Sequence, residues 1–281
     1  SNKTTLSTSN NSNYIKSYDA NREVKGIWLT TVFNLDYPKE KTTNSTSLKK
    51  QLLEILNNID DMGFNTIYFQ VRPSADAFYH SEIFPWSKYL TGTQGVKPSG
   101  NFDPLESLLS VAHSRGIQVH AWINPYRVAM STDDYNNLVA THPAKQHPEW
   151  VLAHGQAGKE RYYFNPGIPE VQKLVLDSVS EILDNYSVDG IHMDDYFYPG
   201  TKIDDGEQYA KYGKGFSDIA DWRRNNVNVL VKNLYYLVKS KDISLDFGIS
   251  PFAIWANKST NSLGSDTSGT QAYYQMQAVI R

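Results

Sequence analysis

Between residues 24 and 249 the chain alternates short apolar runs with long amphipathic ones, and that rhythm limits the possible folds more than any other feature. Residues 24–32 (Val-Lys-Gly-Ile-Trp-Leu-Thr-Thr-Val) read as a first strand. Ser47 is expected to cap a helix carrying Leu48, Leu52, Ile55, Leu56 and Ile59, closed by Gly63. Residues 66–71 read as a second strand. Asp103 caps and Pro104 starts a second helix with Leu105, Leu108, Leu109 and Ala112, which Gly116 ends before a strand at 117–123. Pro169 opens a third helix through Val171, Leu174, Val175, Val179, Ile182 and Leu183, leading to a strand at 190–193. Ser217 opens a fourth, through Ile219, Trp222, Val229, Leu230, Leu234 and Leu237, leading to a strand at 245–249. Most strands read as apolar on both faces, the pattern of a parallel sheet buried by helices, so the fold class is α/β.

A doubly wound sheet and a (β/α)8 barrel of the TIM type both fit this alternation. No Gly-x-Gly-x-x-Gly follows the first strand, and polar and aromatic residues gather at the exits of several strands, as in a barrel whose loops converge on one mouth. The barrel is therefore expected, with about five βα units visible before residues 270–281, which read as a helix with Ala272, Met276 and Val279 on one side. Residues 1–21 are almost wholly polar and are expected to be a flexible leader or linker. Residues 22–281 would then be one barrel domain, incomplete at its C-terminus.

Composition excludes several classes of function. With 281 residues, 40% of them hydrophobic, the chain can bury one large core. Its formal net charge of -3 offers no basic field for nucleic acid, and no apolar run approaches the ~20 residues of a membrane span. The absence of cysteine removes disulfides, thiolate zinc sites and cysteine nucleophiles, and fits an exported protein. There is no Gly-x-Ser-x-Gly and no Walker pattern. His142, His147 and His154 share a loop with Glu149, but Pro143 and Pro148 break any helix that would present them together, so they read as solvated. No metal or cofactor is expected.

The chemistry is concentrated in Asp189-Gly-Ile-His-Met-Asp-Asp-Tyr-Phe-Tyr-Pro199, a short apolar strand running into the carboxylates Asp194 and Asp195. Two adjacent carboxylates at the end of a buried strand repel each other and lose solvent, which raises one pKa and leaves the other group ionised. Glycosidic cleavage needs that division of labour. On a regular strand His192 and Asp194 would share a face while Asp195 pointed elsewhere, unless the strand ends there and a turn brings both into the mouth. Tyr196, Phe197 and Tyr198 offer flat faces for sugar rings.

Several further segments carry a resemblance. Gln70-Val-Arg-Pro73 with Asp76-Ala-Phe-Tyr79, Pro85-Trp-Ser87 with Leu90-Thr-Gly92, His120-Ala-Trp-Ile-Asn-Pro-Tyr-Arg127 and the segment around Asp194 together resemble the glycosyl-hydrolase-like family 10 barrels, from about Val24 to the C-terminus. The resemblance implies a (β/α)8 barrel, a location at the bacterial cell envelope or secretion, and action on peptidoglycan glycan strands or another amino-sugar polysaccharide, by hydrolysis or lytic transglycosylation.

Within that frame Asp195 is expected as the general acid, with Asp194 stabilising the developing positive charge or orienting the substrate's 2-acetamido group, though the roles can be exchanged. Arg72 and Arg127 are candidates for binding the lactyl carboxylate of a muramic acid residue, with Asp76 holding Arg72 in place. Asn124, Tyr126 and His192 are candidates for hydrogen bonds to sugar hydroxyls, Asn124 or His192 also for fixing Asp194. Of Trp28, Trp86, Trp122 and Trp255, only Trp86 and Trp255 are expected to be exposed platforms. With no separate base visible after the other strands, 1,6-anhydro products are weakly favoured over reducing ends. A non-catalytic glycan-binding module on the same scaffold is the alternative reading, and a metal-dependent deacetylase a third.

Overall fold

The computed structural model describes residues 23–200, 202–251, 258, 262 and 263. The expected leader, the helix at 270–281 and Trp255 lie outside them. Five parallel strands, β1 (Gly26–Leu29), β2 (Thr66–Arg72), β3 (Gln118–Ile123), β7 (Gly190–Met193) and β8 (Asp246–Ile249), form one sheet in the order β1-β2-β3-β7-β8. The long helices between them are α1 (Ser45–Asp61), α3 (Pro104–Ser114), α6 (Pro169–Asn185) and α8 (Ile219–Lys241). This is the expected α/β barrel-type arrangement, with five parallel strands and four long helices among the described residues. Shorter elements fill the loops: α2 (Lys88–Thr91), β4 (Arg127–Ala129), α4 (Thr132–Asn136), α5 (Pro143–Gln146), β5 (Val151–His154), β6 (Arg161–Phe164) and α7 (Gly206–Tyr212).

Each helix forms because its apolar residues recur on one face. In α1 that face is Leu48, Leu52, Leu56 and Ile59, all buried, each worth about 1.5–3 kcal/mol of transfer free energy. The helix begins earlier than Ser47: Asn44 is its cap, and the Asn44 side chain accepts from the Ser47 N–H. Asp103 caps α3 as expected, its carboxylate accepting from the Glu106 N–H at 3.0 Å, and Pro169 occupies the first turn of α6. Asp218 rather than Ser217 caps α8. Gly63 and Gly116 sit at φ 73° and 70°, where the chain leaves α1 and α3 in a left-handed turn.

The sheet is not apolar on both faces. Ile67, Phe69, Val71, Val119, Ala121, Ile123, Ile191 and Met193 point to the helices and are fully buried. The alternate residues form the concave face, where the strand register aligns Trp28, Tyr68, His120 and Gly190 in one row and Gln70, Trp122, His192 and Gly248 in the next. Two glycines make room for imidazoles there. A Cβ on Gly248 would stand 2.5 Å from His192 Nδ1, and one on Gly190 would stand 3.0 Å from His120 Nδ1 and 2.7 Å from the Asp246 carbonyl.

Two departures from the expected strands have identifiable causes. β1 stops at Leu29 because the Gln70 side-chain oxygen captures the Thr31 and Val32 N–H groups at 2.9 and 3.0 Å, and the chain then turns through residues 32–34. The excursion between β3 and α6 builds a second, antiparallel sheet in the order β4-β6-β5. Its strands have only three or four residues, too short to stand out as periodic runs.

Candidate active site

β7 ends at Met193, and the Asp194 N–H still donates to the Ile123 carbonyl at 3.2 Å. Asp195 then adopts φ 51°, a left-handed conformation that costs a non-glycine residue of order 1 kcal/mol or more and commonly marks a functional turn. The turn is closed by the Asp195 N–H, which donates to Asp194 Oδ1 at 2.9 Å. Strand alternation therefore ends at Asp194. Both carboxylates are half-buried at the strand's carboxyl end.

Their surroundings differ. Burial raises the Asp194 pKa, the charge of Asp195 raises it further, and the Asp195 N–H and Arg127 pull in the opposite direction without overcoming the rise. Asp195 accepts from the Arg127 guanidinium in an ion pair whose side chains are 35% and 14% exposed. Arg127 is steadied by the Pro73 carbonyl at 3.3 Å. One carboxyl thus resists ionisation while its neighbour has a cation at hand.

A polar relay fixes the strand ends beneath the pair. Gln70 donates to Asn124 Oδ1 at 2.6 Å, and Asn124 donates to the Asp194 backbone carbonyl at 3.3 Å. Asn124 therefore fixes Asp194 through its main chain. Below the relay, the Trp28 ring is 46% exposed and stands 4.7, 4.9 and 5.0 Å from the rings of Tyr68, Trp122 and His192. His192 shares a 2.6 Å hydrogen bond with Ser250, and burial, with His120 beside it, lowers its pKa to about 4. At neutral pH it is an uncharged hydrogen-bonding group.

Other expected site residues lie elsewhere. A register shift between Gln70 and Arg72 turns Arg72 to the helix side of the sheet, where it is fully buried, donates to Ser178 of α6 and lies 4.9 Å over the Phe84 ring. It cannot reach a ligand in the mouth. Asp76 acts on Arg72 through its charge rather than through a hydrogen bond: the Asp76 carboxylate accepts from the Ser74 N–H at 3.3 Å, and burial pushes its pKa up to about 6. Tyr126, Tyr196 and Tyr198 are fully buried and Phe197 nearly so, and they pack in the core rather than offering faces to sugars. Asn226 of α8 donates to the Tyr198 hydroxyl at 3.0 Å, which shows why: the turn at Asp195 sends the following segment under α8. Trp86 is half-buried against the core beside His80, and Trp28 is the exposed ring instead. His142, expected in solvent, is fully buried as the cap of α5, its Nδ1 accepting from the Ala144 N–H. His147 does face solvent, stacked on Trp150 and paired with Glu149.

The antiparallel sheet adds a wall that the sequence reading missed. Tyr163 of β6 pairs with Arg127 of β4, so the two share a face, and the Tyr163 phenol lies within the fields of Arg127, Arg161 and Asp195. The aromatic run Arg161-Tyr-Tyr-Phe and the glycines at 155 and 158, both at positive φ, were the hairpin signal available in the sequence.

A family model described as Glycosyl hydrolase-like 10 matches residues 23–279. The chain belongs to this family. Two relatives of this glycosyl hydrolase-like 10 chain are glycosyl hydrolase YngK of Bacillus subtilis, 40% identical over 95% of the chain, and glycosyl hydrolase DigH of Escherichia coli K12, 39% identical over 93% of it. The chain spans 52% and 62% of their lengths. Among solved structures, alpha-L-fucosidase isoenzyme 2 from Paenibacillus thiaminolyticus shares the fold with a TM-score of 0.57 and 16% identity, over 84% of this chain and 34% of that one.

Proposed function

We propose that the chain is the catalytic part of a cell-envelope or secreted glycosidase that cleaves the glycan strands of peptidoglycan or a related amino-sugar polysaccharide. The observation that carries this reading is the unlike environment of two adjacent carboxyls at one strand exit. Asp194, whose pKa is raised, retains the proton that a general acid delivers to the leaving oxygen. Asp195, paired with Arg127, supplies the negative charge that stabilises the oxocarbenium-like transition state or orients a substrate acetamide. This exchanges the roles first assigned from the sequence. Membership of a glycosyl hydrolase-like family and the names of the two relatives support glycoside cleavage. Trp28 on the concave face is suited to stack on a sugar ring.

The test is digestion of purified glycan strands with mass analysis of the released products. Asp194→Asn and Asp195→Asn should each lower release by about 10²- to 10⁴-fold while the proteins remain folded by circular dichroism. Near-normal release by both variants removes the pair from the mechanism. Binding without release by the wild-type protein would instead identify a glycan-binding module. Products one water lighter than reducing ends would establish 1,6-anhydro formation, the outcome favoured by a site with one acid and one charge stabiliser.

A further inference from the structure

The face of the antiparallel sheet that carries Arg127 carries another cation that no step of the proposed reaction uses. In antiparallel pairs, residues opposite each other project to the same side, and residues two apart on one strand do as well. Arg127 pairs with Tyr163, Tyr163 with Leu152, and Arg161 with His154, which sets Arg127, Tyr163, Arg161 and His154 on one face. Two contacts show that this face looks onto the exit of β7. Arg127 reaches Asp195, and His154 packs on Gly200 so closely that a Cβ there would lie 2.7 Å from the imidazole. The face is therefore a side wall of the mouth in which Asp194 and Asp195 stand.

The charges on this wall do not balance. Arg127 is matched by Asp195, and Arg72 is buried behind the sheet. Arg161 is exposed, and among the described residues its side chain meets the neutral Tyr163 phenol rather than a carboxylate. Its sequence neighbour Glu160 is engaged by the Thr132 hydroxyl, which donates to it at 3.3 Å. Tyr163, half-buried on the same face, is the group that Arg161 engages, its phenol lying within hydrogen-bonding reach of the guanidinium.

We infer that Arg161, flanked by Tyr163 and His154, is an anion subsite that recognises a carboxylate on a sugar bound next to Asp194 and Asp195. A guanidinium fits this task because it presents paired N–H donors matching the two oxygens of a carboxylate. The inference rests on the proposed amino-sugar substrate and adds a chemical requirement to it: the strand bears an ionised carboxyl, such as the lactyl group of a muramic acid residue. Arg161 replaces Arg72 and Arg127 in that role.

The experiment compares muramic-acid-containing glycan strands with the same strands after their carboxyls have been converted to methylamides. Calorimetric binding and glycan release are both measured on the full chain, wild type and Arg161→Gln. Arg161 is exposed, so the variant should fold normally. The wild type should bind the carboxylated strand about tenfold more tightly than the amide, and Arg161→Gln should lose that preference with the amide affinity unchanged. KM for release should follow, with kcat little altered. A preference retained in Arg161→Gln overturns the subsite and leaves the cleavage reading standing. A lost preference with no release by the wild type keeps the subsite and overturns the cleavage reading. Absence of binding to either strand overturns both.

Discussion

Replacing Asp205 by alanine should destabilise the protein severely, for a reason visible in two buried side chains. Asp205 is fully buried and Arg223 is 4% exposed. The guanidinium donates to both carboxylate oxygens, through Nε at 2.9 Å and through Nη2, and also to the Ile203 carbonyl at 3.2 Å. It lies 5.7 Å from the centre of the Tyr198 ring, three residues beyond Asp195. Removing the carboxylate takes away the charge that balances a buried guanidinium, and breaking a buried pair from one side costs about 3–5 kcal/mol. Set against a total stability of about 5–15 kcal/mol, that is a large share. At about 2–4 °C per kcal/mol for a domain of this size, the midpoint of thermal unfolding should fall by on the order of 10 °C. Urea unfolding followed by tryptophan fluorescence measures the loss directly. The double variant Asp205→Leu/Arg223→Met removes both charges and keeps apolar volume, so it should return to within about 1 kcal/mol of the wild type. A loss below about 1 kcal/mol in Asp205→Ala, or a double variant as unstable as the single ones, would refute the reasoning.

The remaining predictions concern protons and packing. Carboxyl NMR titration should show the Asp194 pKa falling in Asp195→Asn, which removes a charge that raises it, and rising in Arg127→Gln, which removes one that lowers it; shifts of the same sign in both would contradict the assigned environments. Burial holds His142 and His192 at about 4 against 6.5, so the unfolded chain binds more protons there and stability should fall as pH drops from about 6.5 to about 4. Asp76, raised from 3.8 to about 6, acts in the opposite sense, its contribution being complete below 3.8 and lost as pH rises through about 6. Asp76→Asn should therefore steepen the acid loss measured by urea unfolding across that window, and an unchanged pH slope would count against this account. Gly190→Ala should give largely insoluble protein, because its Cβ would press into the Asp246 carbonyl at 2.7 Å; a soluble variant with wild-type unfolding would show that β7 and β8 can separate without penalty.

What the sequence disclosed was local. Asp103-Pro104 and Pro169 announce their helices because caps and first turns are settled within four residues, and β7 was bounded correctly because Met193 and Asp194 differ so sharply in polarity. What it concealed depended on distant partners. Nothing near Thr31 indicates that a carboxamide 39 residues away will end the first strand, and nothing near Arg72 reveals the register shift that sends it to Ser178. Asp194, Asp195 and Arg127 were recognisable as candidates from their residue types. The unlike surroundings of the two carboxyls were not, since they depend on Arg127 reaching across 68 residues to Asp195. The tyrosines after Asp195 were misplaced for a related reason, because only the positive φ at Asp195 and the anchoring by Asn226 carry them into the core.

The small antiparallel sheet has an implication for how such a protein can diversify. The carboxyl pair follows directly on β7, whose neighbours in the large sheet fix its height and direction, whereas the wall beside it belongs to a separate excursion between β3 and α6. On the face towards the carboxyls the two pieces of chain meet at Arg127 with Asp195 and at His154 with Gly200. Residues in the hairpin of β5 and β6 can accordingly vary in size and charge while the strand that bears the carboxyls stays in place. Under the proposed function, exchanging that hairpin between homologous chains should change which glycan is bound while the carboxyl pair stays in place.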